Sequence, residues 1–215
     1  MSAFHEEVWG LVLAGGLSSR LGRDKALLPF HGVPLVERAV ALLSRVCPRV
    51  AVSSRRMLPG LPILLDATER VGPLGGVLTA LEAWQRPVLV LACDMPRMEE
   101  AALVRLLAAR RARPAHALMT VWARYGTPYI EALAAVYEPA AAASLRQGLT
   151  MGVYQLSRLI PASHRHHLPY TEAEAHWFFN VNTPEDLAQL HAVCGAQARE
   201  HSPQEASVHL PVNSQ

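Results

Sequence analysis

The sequence predicts a three-layer α/β domain built on a mainly parallel, twisted sheet. Short apolar runs bounded by glycine, proline or charge recur at residues 8–13, 50–52, 63–65 and 88–92. Such runs are typical of strands that are buried on both faces. Segments with helical periodicity lie between or after them, at residues 35–46, 74–84 and 98–111. This alternation of strand and helix indicates parallel strands joined by right-handed crossovers.

The pattern changes after Arg113, where two strands around a turn predict a small antiparallel insertion. The predicted elements are strands at 115–122 and 128–137, short helices at 139–146 and 151–159, a last strand at 177–181 and a closing helix at 184–193. Thr183 is the expected N-cap of that helix. We expect one domain over residues 1–194. Residues 195–215 are polar and lack periodicity, which predicts a flexible tail.

Composition excludes several classes of protein. The chain has 215 residues, 51% of them hydrophobic, which is typical of a globular domain with a sizeable core. Its formal net charge is only +2, from 20 basic and 18 acidic side chains, so nucleic acid is not an expected partner. Cys47, Cys93 and Cys194 lie far apart without metal-site spacing, which favours a reducing, cytoplasmic compartment. Neither a membrane span nor a basic signal peptide is evident, so we expect no membrane partner.

The segment 13–25 is a glycine-rich, cation-bearing loop that directly follows the first predicted strand. Its glycines and cations are Gly15, Gly16, Gly22, Arg20, Arg23 and Lys25. Glycine lets backbone N–H groups approach a ligand, and the cations favour phosphate. Neither the Walker A spacing nor the dinucleotide-binding spacing is present. Taken alone, the loop fits either a phosphate site or an ordinary turn between strand and helix.

Two further segments fall where open α/β sheets bind ligands, beyond the carboxyl ends of the strands. Asp94 immediately follows the apolar run 88–92. It is suited to hold Mg²⁺, which prefers one or two carboxylates, and the alternative role is to cap the next helix. Asn180 and Asn182 alternate at the end of the last predicted strand, so both amides are expected on one face. The alternative for the asparagines is a pair of local turns before the closing helix.

Three weaker candidates stay open between a binding role and a structural one. Asp66 is followed by the glycine-rich start of a helix at 72–76, whose glycines either approach a ligand or permit tight packing. The cluster of His164, His166 and His167 favours a solvated basic loop over a metal site. Residues 125–127 either line an acceptor pocket or form a plain hairpin turn.

In combination, these segments resemble the molybdenum cofactor guanylyltransferase (MobA) family, within the nucleotidyltransferases of the GT-A-like fold. Four blocks carry the resemblance in order: the loop at 13–25, Asp66 with Gly-Pro-Leu-Gly-Gly at 72–76, Cys-Asp-Met-Pro at 93–96, and Phe-Asn-Val-Asn-Thr-Pro-Glu-Asp-Leu at 179–187. The resemblance implies a Rossmann-like N-terminal part and transfer of GMP from GTP to the terminal phosphate of Mo-molybdopterin. It also implies Mg²⁺ as cofactor, and transient contact with molybdoenzymes or cofactor-delivery proteins.

Site residues follow from the resemblance position by position. Backbone groups of Leu13, Ala14 and Gly15 are expected at the base, and Lys25 at phosphate. Asp66 is expected in the nucleotide pocket, and Asp94 at both nucleotide and Mg²⁺. Arg20, Lys25 and Asp94 form the expected catalytic set. Other matching positions are Gly16, Gly22, Asn180 and Asn182, the asparagines on the acceptor or metal side.

The chain departs from the family at Ser53, in the nucleotide pocket, where many relatives carry Asn. A hydroxyl replaces one hydrogen bond of an amide but not its paired donor and acceptor. Three alternatives therefore accompany the guanylyltransferase prediction: a CTP-dependent molybdopterin cytidylyltransferase, a sugar-phosphate nucleotidyltransferase, and a nucleotide-binding pseudoenzyme.

Overall fold

A computed structural model describes residues 7–14, 25–66, 71–183 and 185–190. Residues 15–24 of the predicted phosphate loop, including Gly15, Gly16, Arg20 and Gly22, lie outside the described residues. So do Cys194 and the predicted tail over 195–215. The single domain over 1–194 and the flexible tail therefore stay predictions.

A seven-stranded sheet forms the centre of the molecule, with strand order β5-β4-β1-β6-β8-β7-β9. Its strands are β1 (Trp9–Leu13), β4 (Val50–Ser54), β5 (Ile63–Leu65), β6 (Val88–Ala92), β7 (Met119–Arg124), β8 (Ile130–Tyr137) and β9 (Arg165–Tyr170). The first four of these pair in parallel, whereas β8 is antiparallel to both β6 and β7. The carboxyl ends of β1, β4, β5 and β6 therefore share one edge of the sheet.

Helices cover both faces of this sheet, which confirms the three-layer prediction. They are α1 (Leu35–Leu43), α2 (Pro73–Trp84), α3 (Glu100–Arg111), α4 (Ala141–Thr150) and α5 (Leu156–Leu159). One apolar core joins α1 and α3 to the sheet, and a second joins α2, α4 and α5 to the opposite face. None of the described helices is long and apolar enough to cross a membrane.

The prediction of a last strand at 177–181 is wrong. Residues Glu172–Phe178 form a 3-10 helix, which Thr171 begins through a capping box with Glu174. The apolar residues at its end pack inward, where Trp177 lies 5.7 Å from Trp122 between ring centroids. The reciprocal capping hydrogen bonds satisfy the backbone donors of a helical start, and this outweighs the apolar run that suggested a strand.

The last strand is instead β9, which the sequence did not predict. It pairs in parallel with β7 and contains His166 and His167, so the prediction of a solvated basic loop is wrong at these positions. Burial and the neighbouring Arg165 lower the pKa of His167. The strand lies at a sheet edge, and Pro169 is compatible with that position because an edge tolerates a missing N–H.

The predicted antiparallel pair is present, but it extends the main sheet rather than forming a separate unit. The turn that joins β7 to β8 is a plain hairpin turn, in which Thr127 N donates to Arg124 O at 3.1 Å. A second, unpredicted hairpin pairs β2 (Pro29–Phe30) with β3 (Val33–Pro34). Residues 185–190 are helical, and the Thr183 hydroxyl accepts the N–H of Asp186, which confirms the predicted N-cap.

Candidate active site

Three of the predicted site residues meet at the carboxyl edge of the parallel strands. The Lys25 ammonium lies 2.6 Å from Asp94 Oδ2 and donates to Asn182 Oδ1 at 2.7 Å. The Lys25 and Asp94 side chains are only 17% and 19% exposed. These residues are separated by up to 157 positions in the chain, so the fold brings them together. We call this group the Lys25 cluster.

Backbone hydrogen bonds fix the segments that carry the Lys25 cluster. Asp94 follows β6, where Cys93 N donates to Leu13 O at 3.1 Å, and Asp94 O accepts the N–H of Val181 at 2.9 Å. The carboxylate of Asp186 accepts the backbone N–H of Asn182 at 2.8 Å, and this contact holds the pKa of Asp186 below its ordinary value. The strand end and the asparagine segment are thus held against each other.

Lys25 is the only lysine in the sequence; the other 19 of its 20 basic residues are arginine. An ammonium is a compact charge that can approach two oxygens in different directions, whereas a guanidinium presents a rigid, planar fork. The position between Asp94 and Asn182 suits the ammonium. A single lysine in an otherwise arginine-rich chain is a sequence signal that points to this position.

Asp94 is better suited to bind Mg²⁺ than to cap a helix. The helix α3 begins at Glu100 and has no side-chain cap. Asp94 Oδ1 is buried and has no hydrogen-bond partner among the described residues. Those residues contain no group of three or more His, Cys, Asp or Glu that could hold a metal alone. A single carboxylate with a spare oxygen suits Mg²⁺, which commonly takes its remaining ligands from water and substrate phosphate.

Beside β1, at the ends of β4 and β5, is a tightly packed surface that we call the glycine wall, formed by Ser53, Asp66, Gly75 and Gly76. A Cβ at Gly76 would lie 2.1 Å from Ser53 Oγ, and a Cβ at Gly75 would lie 2.6 Å from Asp66 Oδ1. These glycines are therefore required for helix α2 to pack against the ends of β4 and β5. Of the two roles considered for these glycines, approach to a ligand and tight packing, the geometry supports tight packing.

The base-binding positions of the predicted site border the glycine wall. Leu13 pairs with Ser53 in the sheet register, and Ala14 N donates to Ser53 O at 3.2 Å. The Leu13 side chain is buried in the core against α2, so only its backbone is suited to meet a ligand. Ser53 itself is 5% exposed.

The two asparagines do not share a face. Asn182 joins the Lys25 cluster, whereas Asn180 Nδ2 donates to Phe178 O at 2.9 Å, a local contact of the kind considered as the alternative. Asn180 instead lines a cavity of about 560 Å³, which Met95, the residue after Asp94, also lines. We call it the Glu131 cavity; its polar and aromatic lining includes Tyr129, Glu131, Tyr154, Arg158 and Asn180. Residues 125–127 do not line it, whereas Pro128 and Tyr129 do.

Sequence reasoning missed Glu131. It is the one acidic residue of β8, an otherwise apolar strand from Ile130 to Tyr137, and it is only 4% exposed. A lone charge inside an apolar strand is a signal that could have identified it, because buried charges are rarely retained without a partner or a role.

Cys93 precedes Asp94 but is not a candidate nucleophile. Burial, together with the neighbouring Asp94 charge, raises the pKa of its thiol to about 12. The thiol therefore keeps its proton at neutral pH, and only the thiolate is nucleophilic.

A mainly parallel α/β sheet with a lysine and a carboxylate paired at its carboxyl edge defines the class, which is that of the nucleotidyltransferases. Residues 10–168 match the MobA-like NTP transferase domain. The chain belongs to this family, which is the family of the molybdenum cofactor guanylyltransferases.

Relatives and a solved structure agree with this assignment. The molybdenum cofactor guanylyltransferase of Xanthomonas euvesicatoria is 36% identical over 84% of this chain and 93% of its own length. A molybdenum cofactor biosynthesis bifunctional protein of Synechocystis is 30% identical over 85% of this chain, which spans only 53% of that longer protein. The fold matches the crystal structure of molybdopterin-guanine dinucleotide biosynthesis protein A from Archaeoglobus fulgidus, with a TM-score of 0.71, 24% identity, and coverage of 87% of this chain and 99% of that one.

Proposed function

We propose that this protein transfers GMP from GTP to the terminal phosphate of Mo-molybdopterin, giving molybdopterin guanine dinucleotide and pyrophosphate. The Lys25 cluster is the observation that carries the proposal, because it sets a cation and a carboxylate at the sheet edge where nucleotides bind. The proposed base contacts adjoin the glycine wall, and the Glu131 cavity provides room for a second substrate. The names of the relatives supply the nucleotide and the acceptor.

The chemistry requires no covalent enzyme intermediate. An oxygen of the acceptor phosphate attacks the α-phosphorus of GTP, and the bond from that phosphorus to the bridging oxygen of pyrophosphate breaks. The protein contributes positioning and neutralisation of charge. Lys25 is suited to the second task, and Asn182 and Asp94 hold its ammonium in place before substrate arrives. Arg20, outside the described residues, belongs to the same proposed catalytic set.

Mg²⁺ is the proposed cofactor, held by Asp94 through its spare oxygen. When bound, the ion supplies Lewis-acid neutralisation of phosphate oxygens. The nucleotide itself is proposed to meet the backbone of Leu13, Ala14 and Gly15, with Gly16 and Gly22 in the same loop. Ser53 and Asp66 complete that pocket.

Cytoplasmic location and transient contact with molybdoenzymes or cofactor-delivery proteins complete the proposal. The location is inferred from the dispersed cysteines, and the contacts from the proposed product, which is a cofactor made for other enzymes.

The test is pyrophosphate release by the full chain with GTP, Mo-molybdopterin and Mg²⁺, with identification of the dinucleotide by mass spectrometry. Parallel reactions with CTP and ATP measure nucleotide preference, and chelation of the metal measures its requirement. We expect product with GTP and metal together. Product with CTP in preference to GTP would instead assign a cytidylyltransferase, and bound GTP without product would assign a binding protein.

A further inference from the structure

The Glu131 cavity directly adjoins the Lys25 cluster, and its occupant is the open question of the site. Met95, the residue after Asp94, lines the cavity, as does Asn180, whose neighbour Val181 donates its N–H to Asp94 O. The cavity volume of about 560 Å³ lies within the range of small-molecule sites. A ligand here would lie next to the segments that carry Asp94 and Asn182.

Glu131 is the buried ionisable group of this cavity. Its Oε1 accepts a hydrogen bond from the Tyr170 hydroxyl at 2.5 Å, and the side chain makes no other hydrogen bond within the described parts of the chain. Burial and the adjacent Glu131 both raise the pKa of Tyr170, so its hydroxyl keeps the proton that it donates. The second carboxylate oxygen is left to accept hydrogen bonds from a ligand, since a carboxylate offers several acceptor positions.

The cation nearest in the chain does not compensate this carboxylate directly. Arg124 forms its ion pair with Glu172 at 2.5 Å and acts on Glu131 only as a more distant charge. Burial therefore raises the pKa of Glu131 above its ordinary value. A ligand that brings N–H donors would supply the hydrogen bonds that this buried carboxylate can still accept.

Aromatic side chains form part of the same lining. Tyr129 and Tyr154 both line the cavity, and they are 55% and 45% exposed. Exposed tyrosine rings provide flat, amphipathic surfaces for a planar heterocycle. The lining thus combines a hydrogen-bond acceptor with surfaces for stacking.

We propose that Glu131 recognises the 2-amino-4-oxopyrimidine edge of the acceptor's pterin, accepting hydrogen bonds from its amino group and the adjacent ring N–H. This inference rests on the proposed function for the identity of the acceptor. Guanine carries the same edge. The pterin is assigned here because the proposed base contacts Leu13 and Ala14 adjoin Ser53 in the sheet, and none of these three residues lines the cavity.

The test compares binding of free pterin with that of lumazine, in which an oxo group replaces the 2-amino group, by titration of ligand fluorescence. The proteins are the wild type, Glu131→Gln and the control Glu172→Gln, whose exposed carboxyl does not line the cavity. We expect the wild type and the control to prefer pterin by about tenfold or more, as a hydrogen bond to a charged group commonly provides. Glu131→Gln should bind both ligands alike, and saturating GTP should not displace pterin.

Three results would overturn the inference: no pterin binding or no preference in the wild type, full preference retained by Glu131→Gln, or displacement of pterin by GTP, which would place guanine in the cavity. Unfolding curves for each variant separate loss of recognition from loss of structure. The outcome is distinguishable from failure of the proposed function. Pterin preference that depends on Glu131 without dinucleotide synthesis would reject the transfer, whereas synthesis with an unchanged KM for Mo-molybdopterin in Glu131→Gln would reject only this role.

Discussion

The glycine wall and the Glu131 cavity both lie near the Lys25 cluster but are built in opposite ways. On the glycine wall, helix and strand approach so closely that a methyl group at Gly76 would overlap Ser53. The Glu131 cavity is bounded by large side chains that leave about 560 Å³ between them. One side should therefore be sensitive to added atoms, and the other to removal of a charge or a ring. The Lys25 cluster serves both sides, so changes there should have the largest effects.

Asp94→Asn should cause the largest loss. The amide keeps the size of the side chain but removes the charge that pairs with Lys25 and that is proposed to hold the metal. Removal of one preorganised electrostatic group commonly lowers kcat by about a hundredfold to a thousandfold. Pyrophosphate release at saturating substrates measures the effect, with circular dichroism to confirm folding. Activity within tenfold of the wild type would remove Asp94 from the catalytic set.

Substitutions of Lys25 distinguish charge from shape. Lys25→Ala should weaken GTP binding by about tenfold to a hundredfold, since a hydrogen bond between charged groups is lost. Lys25→Arg keeps the charge but should restore little of the affinity, because the planar guanidinium does not fit between Asp94 and Asn182. Calorimetric titration with GTP measures both. Full affinity in the arginine variant would show that charge alone suffices.

The sole lysine also permits a chemical form of this test. Lys25 carries the one side-chain amine of this sequence, so an amine-reactive reagent should modify Lys25 and a free N-terminal amine. Bound GTP should protect Lys25 from modification, as measured by peptide mass spectrometry. The N-terminal amine serves as the internal control. Equal labelling of Lys25 with and without GTP would place the phosphates elsewhere.

Gly76→Ala tests the glycine wall. At an ordinary helical position this change stabilises by roughly 0.5–1 kcal/mol. Here the added Cβ meets Ser53, and overpacking should lower the free energy of unfolding by about 1–3 kcal/mol. Denaturant unfolding measures it, and the second change Ser53→Gly should recover part of the loss. A stabilised Gly76→Ala variant would contradict the packing account.

Ser53→Ala should have a smaller effect on the same side. It removes one hydroxyl from the proposed nucleotide pocket without adding volume. A neutral hydrogen bond contributes about 0.5–1.5 kcal/mol, which corresponds to a rise of roughly twofold to tenfold in the KM for GTP. Initial rates with GTP and CTP measure the change and its selectivity. An unchanged KM for GTP would mean that the Ser53 hydroxyl does not contact the nucleotide.

The burial of each element explains which parts of the fold the sequence could predict. The strands β1, β4 and β6 lie inside the sheet, so their continuous apolar runs identified them. Strand β9 lies at an edge, and its sequence Arg-His-His-Leu-Pro-Tyr carries no apolar period. The missed 3-10 helix depends on a capping box that competes with an apolar run. The local sequence pattern does not reveal whether the capping box or the apolar run determines the structure, because tertiary packing determines it.

The candidate site also contains residues whose positions the sequence could predict and residues whose positions it could not. Lys25, Asp94 and Asn182 occur within recognisable motifs, and each motif ends a strand or precedes a helix, so their meeting could be predicted. The hydrogen-bond partner of Glu131 is Tyr170, which lies 39 positions away on a strand that the sequence did not predict. Asn180 was placed with Asn182 because a strand was assumed, and the actual irregular backbone turns the two side chains apart.

The smallest expected effect is on the free energy of unfolding, which the buried Glu131 carboxylate lowers. Because burial raises its folded-state pKa above the unfolded value, the carboxyl destabilises the protein most when ionised, and stability falls as pH rises through the folded pKa. Glu131→Gln removes this titration while its amide oxygen can still accept the Tyr170 hydroxyl. The variant should therefore match or exceed the wild type at neutral pH, by about 1 kcal/mol or less, and lose that advantage as pH falls. Thermal unfolding of both proteins across pH 4 to 8 measures the difference. If the stability gain of Glu131→Gln grew toward acid pH, Glu131 would be stabilised as the carboxylate. The cavity would then already supply the hydrogen-bond donors that the pterin is proposed to bring.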